Sequence, residues 1–337
     1  MKRFFSEIQS GHAPLRELNN GEWMDFAESP ARIASMLQAL DSCEAPQDFG
    51  LDPILAVHDA DYVAFLQTAH SDWLTAGRDG DAIGYTFPIV GRRKLDLTRI
   101  DGRLGAFALD AATPIASGTW EAAYWGAQGA LSAFETVAGG TRQAFALCRP
   151  PGHHAGTDYY GGYCYLNNAA IVAQRAVDQG LGPVAVLDVD YHHGNGTQDI
   201  FYARGDVLFA SIHADPKMDY PYFWGHSDET GVGTGEGATF NLPLPRGTTW
   251  EGYAPALGKA LEQIATFGAQ FLVISYGADT YEADPISHLK LTTQDMGRIG
   301  EAIGGLALPT VTVMEGGYDI EALGRNVDAF LSGLENN

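Results

Sequence analysis

Apolar positions along this chain fall into two alternating textures. Short runs that are apolar at nearly every position are closed off by glycine or polar turns: Ala144–Cys148, Val184–Val189, Val207–Ile212, Phe271–Tyr276 and Thr310–Met314. Strands buried on both faces require that length and texture. The intervening segments Trp120–Val137, Asn167–Gln179, Gly196–Tyr202, Trp250–Phe267 and Thr293–Ile303 have helical character. Strand alternating with helix predicts an α/β fold, a single-domain parallel sheet flanked by helices and formed by residues 1–337. Residues Gly77–Ser117 break the alternation and read as a loop, with Phe87-Pro88, Arg92-Arg93-Lys94 and the acids Asp96, Asp101 and Asp110. An irregular stretch of that length in a compact domain is usually a lid or a contact surface.

Composition narrows the class. A hydrophobic content of 45% and a charged content of 18% support a large globular core. No apolar run approaches the roughly 18–20 residues that span a membrane. The start, Met1-Lys-Arg-Phe-Phe-Ser-Glu7, lacks the apolar stretch and cleavage site of a secretory signal. A soluble, cytoplasmic protein is expected. Cys43, Cys148 and Cys164 cannot all pair and show no CxxC spacing, which suits a reducing compartment and a role as small buried hydrophobes. The net charge of -22 argues against a phosphate-binding surface and so against nucleic acid. Such a field attracts small cationic molecules, or serves solubility alone.

Four polar clusters each follow one of the apolar runs. His153-His154 follows the first, Asp188-Val-Asp190-Tyr-His192 ends the second, and Gly277-Ala-Asp279 and Glu315-Gly-Gly-Tyr318 follow the last two. Ligands of open α/β sheets bind beyond the carboxyl ends of the strands, so the four clusters are expected to form one catalytic site there. Asp190 and His192, two apart in an extended segment, project to the same side. With Asp279 they offer two oxygens and one nitrogen and leave a metal position open for water and substrate. Zinc fits that set, and Fe(II), Co(II) and Mn(II) accept the same donors. Of the paired histidines, one can take a proton from water and the other can supply positive charge near a developing oxyanion. Asp188 and Asn195 stand where they would orient an imidazole. Tyr318 offers a phenol to the oxyanion. These are the parts for hydrolysis of an amide by one metal ion.

Further motifs extend along nearly the whole chain: Glu22, Pro30-Ala-Arg32, Val57-His-Asp-Ala60, Ser117-Gly-Thr-Trp-Glu121, Arg149-Pro-Pro-Gly-His-His-Ala155, Gly161-Gly-Tyr-Cys-Tyr-Leu-Asn-Asn168 and Leu187-Asp-Val-Asp-Tyr-His-His-Gly-Asn-Gly-Thr197. Gly277-Ala-Asp-Thr280 and Met314-Glu-Gly-Gly-Tyr318 complete the set. Together they resemble the histone deacetylase family, in its bacterial acetylpolyamine amidohydrolase branch. The resemblance implies that Asp190, His192 and Asp279 bind a catalytic zinc and that His154 is the general base and acid. His153, paired with Asp188, becomes the electrostatic partner, and Tyr318 polarises the acyl carbonyl. It also implies tunnel walls at Tyr163 and Tyr220 beside Gly162, and a structural potassium ion near Asp188, Asp190, His192, Ser211 and Ile212. Residues 77–117 become an insertion that builds a homodimer and admits only small, slender cationic substrates such as acetylated polyamines. The branch places two carboxylates in that insertion to meet a distal ammonium. Asp101 matches one position, and Ala112 stands at the other with Asp110 nearby.

Arginase-like enzymes with two manganese ions share the fold class. In the corresponding run, Ser275 through Asp284-Pro285, Tyr281 takes the place of the second ligand, so one metal ion is expected. Two further readings compete with the polyamine substrate. Acetyl-lysine in proteins fits the same chemistry, but a tunnel narrowed by a partner would exclude a folded chain. An inactive acyl-amine binder is at odds with an intact set of ligands, imidazoles and tyrosine.

Overall fold

The structure is a computed structural model describing residues 1–88 and 95–336. The basic run Arg92-Arg93-Lys94 lies outside the described residues. The chain opens with β1 (Lys2–Phe4) and a separate antiparallel hairpin of β2 (Arg16–Asn19) and β3 (Glu22–Asp25). β1 then joins β4 (Gln143–Ala146), β5 (Val184–Asp188), β6 (Val207–Ala214), β7 (Thr239–Leu244), β8 (Phe271–Tyr276) and β9 (Thr310–Met314) in one sheet. Its order is β1-β4-β9-β8-β5-β6-β7, with every neighbouring pair parallel.

Helices cover both faces, and alternate strand residues sort between them. Val184 and Val186 of β5, with Val273, Val311 and Val313, pack into one core with α3 (Ala60–Thr75), α5 (Thr119–Ala138) and α6 (Asn168–Asp178). Ala185, Leu187, Leu272 and Ile274 face the other core, built with α1 (Ala31–Ala39), α8 (Trp250–Phe267), α9 (Thr293–Gly304) and α10 (Ile320–Glu335). A strand with a core on each side has no polar face, which is why the sequence pattern is continuous rather than alternating. No helix among the described residues is long and apolar enough to cross a membrane.

The five expected strands and five expected helices are present with small shifts of boundary. β6 runs past Ile212 to Ala214 because β7 continues to pair with it, Ala214 opposite Leu244. β7 itself was hidden by its mixed pattern and Pro243, both tolerated at a sheet edge. Residues 77–117 are not wholly a loop. They contain α4 (Ile100–Phe107), whose Ile100 and Leu104 are buried in the first core, and a bridge from Ala108 to Tyr160 docks the segment beside the site loops. The expected Gly196–Tyr202 helix is α7 (Asn195–Phe201), while α1, α3, α10 and the short α2 (Asp52–Leu55) lie outside the five expected helices.

The sheet order positions the site. In space β8 and β9 insert between β4 and β5, which precede them in the chain. Connections leaving such a point diverge to opposite sides and open a crevice at the carboxyl edge. The loops leaving these four neighbouring strands carry His153-His154, Tyr318, Asp279, and Asp190 with His192.

Candidate active site

Asp190 and His192 lie just past β5, and Asp279 lies just past β8, its neighbour in the sheet. One donor atom from each lies within 4.8 Å of the others. His192 Nδ1 is 3.1 Å from Asp279 Oδ2 and 3.3 Å from Asp190 Oδ1. Backbone amides hold the carboxylates: Gly316 N donates to Asp190 Oδ2 at 2.8 Å, and Tyr191 N donates to Asp279 Oδ1 at 2.9 Å. Glycine is needed here for space, since a Cβ on Gly277 would collide with Asp190 Oδ2 and one on Gly316 would lie 2.5 Å from Asp279 Oδ2.

Two carboxylates buried this closely resist sharing negative charge. Burial, followed by the Asp190 charge, pushes Asp279 up to about 7. Burial disfavours a charged His192, yet Asp190 and Asp279 drive it up to about 10. The pair demands a positive partner at this point, and a divalent ion held by two oxygens and one imidazole nitrogen satisfies that demand. His153, Cys164 and Glu315 form a second close group. That group is already committed: Glu315 Oε2 accepts from the backbone N–H of Gly152 (2.6 Å) and His153 (3.1 Å), and Cys164 Sγ donates to Gly162 O.

The adjacent histidines have different partners. His153 Nδ1 is 3.0 Å from Asp188 Oδ2, and its Nε2 is 3.8 Å from Asp190 Oδ1. Burial opposes a charged ring, but Asp188 and then Asp190 drive His153 up to about 10. His154 Nδ1 instead meets a neutral acceptor, Asn195 Oδ1, at 2.7 Å. Burial, and then the positive charges on His153 and His192, hold its pKa well below 6.5. With ring centroids 4.0 Å apart, the surroundings favour a charged His153, facing Asp188, and a neutral His154, facing Asn195.

Tyr318 closes the group from β9. Its backbone N–H donates to Asp284 Oδ2 at 2.7 Å, and the Arg32 guanidinium lies 5.1 Å from its ring centre. Arg32 is itself anchored, donating to Gly317 O at 2.7 Å and Glu28 at 2.6 Å. Burial pushes the Tyr318 phenol well above 10, so it keeps its proton.

A cleft of 260 Å³ is lined by His154, His192 and Tyr318 and walled by Gly162, Tyr163 and Tyr220. The Tyr163 ring meets Tyr318 edge-on at 5.7 Å, and the Tyr220 ring meets His154 at 5.0 Å. Two carboxylates hold these walls: Asp110, from the segment already singled out, and Glu17, which no local pattern marks. Glu17 accepts from the Tyr163 hydroxyl at 3.0 Å, while Asp110 Oδ2 accepts from both Gly162 N (2.8 Å) and the Tyr220 hydroxyl (2.9 Å). Gly162 has φ +53°, and a Cβ there would strike His154 Cδ2. Ala112 lines the cleft. Asp101 is not brought to the cleft of its own chain: Arg78 (2.6 Å) and Arg99 (2.9 Å) take its carboxylate at the start of α4. Of the residues expected around potassium, Asp188 and Ser211 are register partners across β5 and β6, and Ile212 is the next residue of β6. Tyr281 pairs its backbone with Leu291 beside the Asp279 loop.

Residues 26–334 match the histone deacetylase domain. Acetylpolyamine amidohydrolase 2 of Pseudomonas aeruginosa is 48% identical over 340 residues, 99% of each chain. The acetylpolyamine amidohydrolase of Mycoplana ramosa is 46% identical over 339 residues, again 99% of each. The crystal structure of acetylpolyamine aminohydrolase from Burkholderia pseudomallei superposes with a TM-score of 0.95 at 42% identity, covering 100% of this chain and 99% of the other. Fold, family match and full-length identity agree, and the chain belongs to the histone deacetylase family, in its acetylpolyamine amidohydrolase branch.

Proposed function

We propose that this protein removes acetyl groups from N-acetylated polyamines or related small cationic amines. The observation that carries the reading is one narrow cleft joining a two-carboxylate, one-imidazole donor group, a neutral histidine beside a cationic one, and a buried phenol. Asp190, His192 and Asp279 would hold a divalent ion, zinc by preference, with iron, cobalt or manganese able to replace it. When bound, that ion supplies Lewis acidity toward the amide carbonyl and a nearby water.

The chain's own groups do the rest. His154 takes the proton from the attacking water and returns it to the departing amine. The Tyr318 hydroxyl donates to the carbonyl oxygen as negative charge builds there. His153, charged and held by Asp188, steadies that charge and keeps His154 neutral. Tyr163 and Tyr220 exclude water from the acyl group and admit only a slender chain. With Asp101 clamped by two arginines, carboxylates at the cleft itself, such as Asp110, carry the attraction for a cation.

The same proposal includes a potassium ion near Asp188, Asp190, His192, Ser211 and Ile212, and a homodimer formed through residues 77–117. Exposed Tyr85, Phe87 and Leu95 support the dimer, offering that segment an apolar surface. A cytoplasmic location is supported by three unpaired cysteines. The test compares turnover of acetylputrescine, acetylcadaverine, acetylspermidine and an acetyl-lysine peptide by the zinc-loaded protein. A clear preference for the peptide sinks the polyamine reading in favour of protein deacetylation.

A further inference from the structure

α7 starts at Asn195, and Asp199 follows four residues later, so both side chains lie on one helix face. Tyr159, in the loop after the paired histidines, bridges them. Its hydroxyl donates to Asp199 Oδ2 at 2.7 Å and accepts from Asn195 Nδ2 at 3.2 Å. The other Asp199 oxygen accepts the Trp224 indole N–H at 3.0 Å. Gly156 lies against the Tyr159 ring so closely that a Cβ there would collide with it. The phenol has a single proton, and the carboxylate takes it. Toward Asn195 the phenol therefore presents only lone pairs.

That fixes the amide. Asn195 must turn its NH2 toward Tyr159 and toward His154 O, 3.3 Å away, leaving Oδ1 for His154 Nδ1. An amide oxygen only accepts, so the proton of the neutral imidazole sits on Nδ1 and the lone pair on Nε2. Nε2 is on the edge of the ring that faces Gly162 and the cleft. With the amide flipped, an oxygen would face both the phenol oxygen and the His154 carbonyl, and the imidazole would carry its proton on Nε2. We propose that Tyr159 and Asp199 are positioning residues that lock His154 in the tautomer able to accept a proton from water. The inference rests on the reading of His154 as the proton-transfer base.

The zinc-loaded full chain, labelled with 15N-histidine, tests it by long-range 1H–15N spectra that read which ring nitrogen carries the proton. The His154 signals are assigned by their loss in His154→Ala. The wild type is expected to show Nδ1–H alone. Tyr159→Phe keeps the ring and removes its oxygen, and should give mixed tautomers and a kcat lower by about ten-fold with KM nearly unchanged. Asp199→Ala should do the same by freeing the phenol proton to turn toward Asn195, while Asp199→Asn combined with Trp224→Phe, which leaves the one amide oxygen to the phenol alone, should restore the single tautomer. Persistence of Nδ1–H alone in Tyr159→Phe, whatever its rate, overturns the proposal. The spectra need no substrate, so an inert wild type that still shows the tautomer shift would count against the hydrolase reading and not against the lock.

Discussion

Replacing Tyr318 with phenylalanine isolates the phenol oxygen. A hydrogen bond between neutral groups in water is worth about 1 kcal/mol net, which would predict a rate loss of only about five-fold. The Tyr318 setting is different: the side chain is 8% exposed, and its loop is pinned by Asp284 and by Arg32 through Gly317. A preorganised donor to a developing oxyanion in such a site is worth roughly 2.7–4 kcal/mol, or about a hundred- to thousand-fold in kcat. The edge-on contact with Tyr163 survives in phenylalanine, so the fold should be unaffected. The assay is kcat and KM on acetylputrescine with zinc-loaded protein, alongside a thermal melt. A hundred-fold or greater fall in kcat with an unchanged melt is expected. A variant within five-fold of wild type would refute the role of the phenol.

Three further outcomes follow from the geometry. Gly162→Ala places a methyl against His154 Cδ2 at a backbone φ of +53°, so kcat should fall at least about ten-fold while zinc content is retained; a normal rate would mean that the wall is not rigid. Zinc at about a thousand times its Kd should raise stability by about 4 kcal/mol, and Asp190→Asn should abolish most of that gain; equal zinc stabilisation in both proteins in urea titrations would remove Asp190 from the ligand set. His58 Nε2 accepts the Asn167 N–H at 2.9 Å, which needs a neutral ring, and burial lowers its pKa from 6.5 to about 4. The unfolded chain takes up that proton first, so the contribution of His58 is present above pH 6.5 and is lost as pH falls to about 4, roughly 3 kcal/mol in all. The stability difference between wild type and His58→Gln, measured by urea unfolding, should shift by that amount across this window, and parallel pH curves would show that His58 does not titrate as described.

Local pattern was enough to reveal the centre of the sheet and the donors. β5, β8 and β9 are apolar at nearly every position because each has a core on both faces, and that texture is a property of a few consecutive residues. Asp190 and His192 could be paired because two-residue spacing fixes direction in extended chain. Tyr281, standing where an arginase-like run has a second ligand, is the basis for expecting one metal ion. Edge strands β1 and β7 and helix α4 escaped notice: an edge needs few apolar residues, and α4 depends on burial of Ile100 and Leu104 against a distant core. Only the tertiary structure set β8 and β9 between β4 and β5, bringing Asp279 to His192, 87 residues away, and Tyr318 into the cleft that His154 lines. Only it showed that Asp101 belongs to Arg78 and Arg99, that Glu17 and Asp110 hold the tunnel walls, and that Tyr159 reaches Asn195. Hydrophobic periodicity encodes which face of an element is buried, whereas a buried polar atom takes whichever partner the packed elements bring within reach.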